Sequence, residues 1–187
     1  MAPKPTSSQT VGPFFHGGLM WLNTPDLAAG AGEGERIEIE GAVFDGDGAA
    51  VPDAMLELWQ ANAHGRYNHP ADRQNRKLDP GFAGFGRICT DNAGRFRFAT
   101  IRPGSVPDGD GRPQSPHINL ILFMRGQLTH LHTRLYFADD PTLAQDPALA
   151  RVEPARRATL LAQPRQPGRY EWNVVMQGER ETVFFAF

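Results

Sequence analysis

The sequence predicts an all-β domain: a β-sandwich of mostly antiparallel strands with long loops and one short helical excursion. Three observations carry this expectation. The 20 Gly and 16 Pro are spread along the chain rather than in tandem, as many short strands joined by turns require. Runs of β-branched, aliphatic and aromatic residues alternate with polar ones in stretches of strand length. Helix-forming composition is confined to one region, Asp139 to Gln163, and Pro147 and Pro154 break it into short pieces. At 187 residues the chain suits one domain, 1–187.

Composition narrows the function classes. Hydrophobic content of 40% and a formal net charge of −2 describe a soluble chain with no charge imbalance toward nucleic acid or a membrane surface. Cys89 stands alone, which excludes an internal disulfide and fits a reducing compartment. The start, MAPKPTSSQTVGPFF, lacks the apolar core of a signal peptide, and no apolar run approaches ~18 residues. A cytoplasmic location is the expectation.

Taken in order, residues 1–15 carry Pro3, Pro5 and Pro13 without periodicity and read as an extended arm. Its Phe14 and Phe15 follow a rigid turn and are expected to dock on something. Residues 24–34 form a loop. From Arg36, Ile37, Ile39, Gly41 and Val43 alternate with Glu38 and Glu40 as a half-buried strand, and Asp45-Gly46-Asp47-Gly48 supplies a turn. Met55 to Gln60 forms the next strand, and 63–86 a long polar loop of functional length. Arg87 to Thr90 and Arg95 to Phe98 read as two strands around the tight turn Asp91-Asn92-Ala93-Gly94. After a loop at 103–116, Pro116-His117-Ile118-Asn119 opens a strand that runs to Arg125. His130 to Phe137 alternates and is expected to pair with it. Arg169 to Met176 and Glu181 to Phe187 are expected to close the chain as two strands around Gln177-Gly178-Glu179.

The chemistry is narrowed mostly by exclusion. Cys89 has no activating neighbourhood, no Ser lies in a nucleophile elbow, and Gly81-Phe82-Ala83-Gly84 lacks the Lys-Ser/Thr of a phosphate loop. Metal binding is the serious candidate. His117 and Asn119 share one strand face, so the strand resembles half of a metal site whose second imidazole is an amide. His130 and His132 share a face of the next strand with Arg134 and Tyr136. They could complete a site with His117 or Tyr136, or they could simply lie on a polar face where the Arg134 cation disfavours a divalent ion.

Trp59-Gln60-Ala61-Asn62, Gly65-Arg66-Tyr67, Leu78-Asp79-Pro80, Phe85-Gly86-Arg87, Thr90-Asp91, Gly94, Pro103-Gly104, His117-Ile118 and Leu135-Tyr136-Phe137 together resemble the intradiol ring-cleavage dioxygenases. The likeness covers nearly the whole chain and is greatest to the non-iron α subunits of the family's two-chain members. It implies a prealbumin-like sandwich and a reaction that opens the ring of 3,4-dihydroxybenzoate (protocatechuate) with O2. Family members hold Fe(III) with two tyrosines and two histidines. Residue by residue, those positions fall here at Gln74, Val106, His117 and Asn119, and the arginine before the histidine pair falls at Gln114. With one ligand of four retained, the resemblance implies a vestigial site, no metal on this chain and no catalytic residue of its own. Iron then belongs to a β subunit, in αβ protomers that assemble further.

The resemblance also implies which residues of this chain serve the partner's pocket: Thr10, Gly12, Pro13 and Phe14 on the arm, and Arg125. Arg125 lies eight residues beyond His117, about 26 Å at a rise of ~3.3 Å per residue, too far to serve the vestigial pocket. Its planar fork suits a substrate carboxylate. Two other readings remain open at this point: a homomeric catechol-type dioxygenase with a site around His130 and His132, and a non-catalytic transthyretin-like module binding an aromatic ligand.

Overall fold

The computed structural model describes residues 4–12 and 17–186. Pro13 and Phe14, two of the residues assigned to the arm's pocket role, lie outside them. Among the described residues the chain is mostly β, with strands joined along one continuous, nearly closed path. Strand β1 (Arg36–Phe44) pairs antiparallel with β4 (Arg95–Ile101). It also pairs in parallel with β10 (Arg169–Glu171) and β11 (Val174–Val175). A second group runs from β3 (Phe85–Cys89) through β2 (Met55–Trp59) and β7 (His117–Phe123) to β8 (Leu131–Phe137), all antiparallel. Strand β9 (Leu161–Gln166) joins the two groups: Leu161 and Ala162 pair with β8, and Gln163 to Gln166 pair with β10.

At the far end of the path, Asn23 to Leu27 lies between β3 and β4. Thr24 N–H donates to the Arg87 carbonyl (2.7 Å), and Leu27 N–H to that of Ala99 (2.8 Å). The backbone groups of a bare edge thereby find partners.

The expected turn at Asp91–Gly94 is present, with Gly94 at φ 69° and the Asp91 carboxylate accepting from Ala93 and Arg95 N–H. It does not make a hairpin. β3 and β4 leave it for different partners, β2 and β1, because each has an apolar row that the core needs on its own side. The core draws Ile37, Ile39 and Val43 from β1, Phe96 and Phe98 from β4, and Leu56, Leu58, Ile118, Leu120, Leu122, Leu135 and Phe137 from the other group.

The helical excursion consists of 3-10 turns at Leu143–Gln145, Leu149–Arg151 and Pro154–Leu160, as two interrupting prolines allow. The expected last strand is a correction: among its described residues only Phe185 bridges to a neighbour, His132. The 103–116 loop contains a small hairpin, β5 (Val106–Pro107) with β6 (Pro113–Gln114).

Strand β7 has two working faces. Ile118, Leu120 and Leu122 enter the main core, while His117 and Asn119 face outward under the excursion. There Tyr136, Leu149, Val152 and Leu160 form a second, smaller apolar cluster. The site lies beside that cluster.

Candidate functional site

Antiparallel register sets His117 directly opposite Tyr136, and Asn119 directly opposite Arg134. His117 is buried, and its Nδ1 lies 2.8 Å from the Ser115 carbonyl. A carbonyl can only accept, so Nδ1 carries the proton. Burial, reinforced by the Arg134 cation, lowers its pKa to about 4, so the ring is neutral near pH 7. Tyr136 is also buried, which pushes its phenol up to about 12. Its hydroxyl donates to Asp146 Oδ1 (3.3 Å), and Asp146 accepts as well from the N–H groups of Ser115, Ala148 and Leu149.

Arg134 occupies the middle of this face. Its Nε donates to Asn119 Oδ1 (3.0 Å), and its Nη1 to Gln114 Oε1 (2.6 Å) and Tyr136 Oη (3.3 Å). Asn119 in turn donates from Nδ2 to Tyr67 Oη (3.1 Å) and to the Trp59 carbonyl (3.3 Å). Tyr67 stacks on Trp59 with ring centroids 5.4 Å apart. The two neutral amides, Asn119 and Gln114, therefore both accept from one guanidinium.

These donors do not fit a ferric ion. Gln74 is committed to the Gly65 carbonyl and to Asp72, and Val106 is buried and apolar. The carbonyl oxygen of Asn119 is taken by Arg134, whose fixed positive charge sits beside His117. Neither nearby phenol is a phenolate, because burial raises both Tyr67 and Tyr136. Among the described residues no group of three or more His, Cys, Asp and Glu could hold a metal ion. His130 and His132 stand edge to face at 4.8 Å, and among the described residues they belong to no group of three or more His, Cys, Asp and Glu that could hold a metal.

At the other end of β7, Thr10 and Arg125 come together. Gly126 N–H donates to Thr10 Oγ1 (2.9 Å), while Arg125 Nε bonds the Asp53 carboxylate and the Arg125 side chain is 59% exposed. Gln9 and Val11 line a shallow groove with Phe123, Leu128 and His130, so the arm runs along the β7–β8 turn. Gly12 takes a left-handed φ of 68° with open space around it.

Sequence reasoning placed Arg134 on the right face but missed its bonding role and missed Asp146. The signal available was one polar row of β8, His132-Arg134-Tyr136, set against an amide on β7.

The family model described as Dioxygenase matches residues 12–178. This chain belongs to the intradiol dioxygenases. Among relatives of this dioxygenase, the protocatechuate 3,4-dioxygenase α chain of Burkholderia cepacia is 44% identical, with 97% of each chain covered. That of Pseudomonas putida is 42% identical over 97% of this chain and 96% of its own. The B. cepacia β chain is 40% identical over 80% of this chain and 67% of its own. Among solved structures, the dioxygenase domain of a carbohydrate-binding fusion from Streptomyces sp. SirexAA-E aligns at TM-score 0.63 and 25% identity. It covers 96% of this chain and 100% of that one.

Proposed function

We propose that this dioxygenase chain is the non-iron α subunit of a protocatechuate 3,4-dioxygenase. With a β subunit holding Fe(III), it would open 3,4-dihydroxybenzoate with O2 to 3-carboxy-cis,cis-muconate. The observation that carries the reading is the Arg134 guanidinium bonded between Asn119 and Gln114, in a chain 44% identical to an α chain over nearly its full length. A face built around a bonded cation is a poor place for iron, so the chemistry falls to a partner. The same observation counts against a homomeric dioxygenase. When bound to the β chain, iron would supply activation of the catecholate toward O2.

This chain's own contribution is to bind and orient. Arg125 is exposed and already aligned by Asp53, so its fork offers N–H groups to a carboxylate at low ordering cost. Thr10 and Gly12 line the partner's pocket in this reading, and the bond from Gly126 to Thr10 ties the arm to the strand end that carries Arg125. The nearly closed strand path supports a prealbumin-like sandwich in this reading, with its outer surfaces left for assembly. The location is the cytoplasm, and αβ protomers assemble further.

Co-expression with a β chain, followed by oxygen uptake with 3,4-dihydroxybenzoate on each chain and on the complex, tests the reading. Activity is expected in the complex. Full activity of this chain alone would overturn it.

A further inference from the structure

A cavity of about 840 Å³ opens over Arg134 and Gln114, and nothing in the proposed function uses it. Its volume lies in the range of small-molecule sites. One wall is apolar and includes Val152, Val183 and Phe185; the Phe185 ring centre is 5.9 Å from the Arg134 guanidinium.

Charge is what singles this cavity out. Both acceptors of the Arg134 guanidinium on its Nε and Nη1 side are neutral amides, with a phenol beside them, and no described carboxylate forms an ion pair with it. Its Nη2 bonds no described residue. The buried carboxylate of Asp146 is taken up by three backbone N–H groups and Tyr136. A second lining guanidinium, Arg151, makes no hydrogen bond or ion pair with a described side chain. Of the other charges, Arg112 holds Asp108 and Asp110, Arg156 holds Glu181, and Glu153 is exposed. Among the described lining residues, the unpaired charges are therefore two cations against one solvated carboxylate. A half-buried cation without a counter-ion, facing a cavity, is matched by an anion that brings charge-assisted hydrogen bonds.

We propose that this cavity binds a small aromatic carboxylate, its carboxylate on Arg134 Nη2 and Arg151 and its ring against Val152 and Phe185. The arginine that displaces metal chemistry from this face thus gives the face a ligand of its own. The site stands independently of any β partner, so it is tested on the full chain alone and its outcome does not depend on the proposed dioxygenase assembly.

Isothermal titration of the full chain with 4-hydroxybenzoate, against 4-hydroxybenzamide as the uncharged counterpart, decides it. The acid is expected to saturate one site with a dissociation constant of about 1 mM or tighter, and the amide to bind at least ~10-fold more weakly. Arg151→Gln, at an exposed position, is expected to weaken the acid several-fold with the melting curve unchanged. Arg134→Met is expected to remove binding; if that variant does not fold, Arg151→Gln and the amide comparison decide. Equal binding of acid and amide, acid binding untouched by Arg151→Gln, or no saturation by ~10 mM would overturn the proposal.

Discussion

Asn119 and Arg134 decide together what the outer face of β7 and β8 can hold. An imidazole at 119 would not restore a metal site, because the Arg134 charge and the amide of Gln114 remain in place. Asn119→His is therefore expected to take up no ferric iron when the purified chain is incubated with iron and analysed for metal. It should also lose stability, by about 1–3 kcal/mol in chemical denaturation, because Arg134 Nε loses its acceptor and Tyr67 Oη loses its donor. His117 makes a separate claim. Its folded pKa of about 4 lies below the ordinary histidine value, so between these values the unfolded chain binds the extra proton. Stability should then fall as pH drops from about 6.5 toward 4, at up to about 1.4 kcal/mol per pH unit from this group. Denaturant melts across that window should show the slope, and His117→Gln should flatten it. Unchanged slopes would show that His117 is not buried and neutral.

Among the elements, periodicity made β1, β2, β7 and β8 readable, because each buries one alternating row and the other row is free to be polar. The pairing of β3 and β4 was not readable. A tight Asp-Asn-Ala-Gly turn looks the same whether its strands join each other or part toward different neighbours; the distant strands β1 and β2 decide between these outcomes. For the same reason β9 escaped notice. Gln163-Pro164-Arg165-Gln166 is exposed and carries a proline, and only its antiparallel contacts with β10 make it a strand. Strand alternation and resemblance pointed to His117, Asn119 and Gln114, and for Arg134 gave only the strand face it occupies. The Arg134 bonds to Asn119 and Gln114 needed three-dimensional register. One close approach also fixes β1: a Cβ on Gly41 would sit 1.7 Å from the Trp172 carbonyl oxygen and 2.8 Å from Phe96 Cζ. Gly41→Ala should push β1 from β10 and cost about 2–3 kcal/mol in denaturant melts, with loss of soluble chain a stronger form of the same result.

For the whole molecule, the two ends of β7 have separated duties. The His117 end is closed by an internal hydrogen-bond network centred on Arg134. The Arg125 end is open, with the described part of the arm tied beside it. In the proposed function, a chain organised in this way contributes to catalysis across an interface, through Arg125 acting on another chain's substrate. The most direct measurement is steady-state oxygen uptake by the reconstituted complex carrying Arg125→Ala, with iron content determined on the same preparation. Loss of a charge-assisted bond to the substrate carboxylate, worth ~1.5–3 kcal/mol, predicts kcat/KM for 3,4-dihydroxybenzoate lower by roughly 10- to 100-fold at unchanged iron. Unchanged kcat/KM in a fully assembled, iron-replete complex would contradict the account.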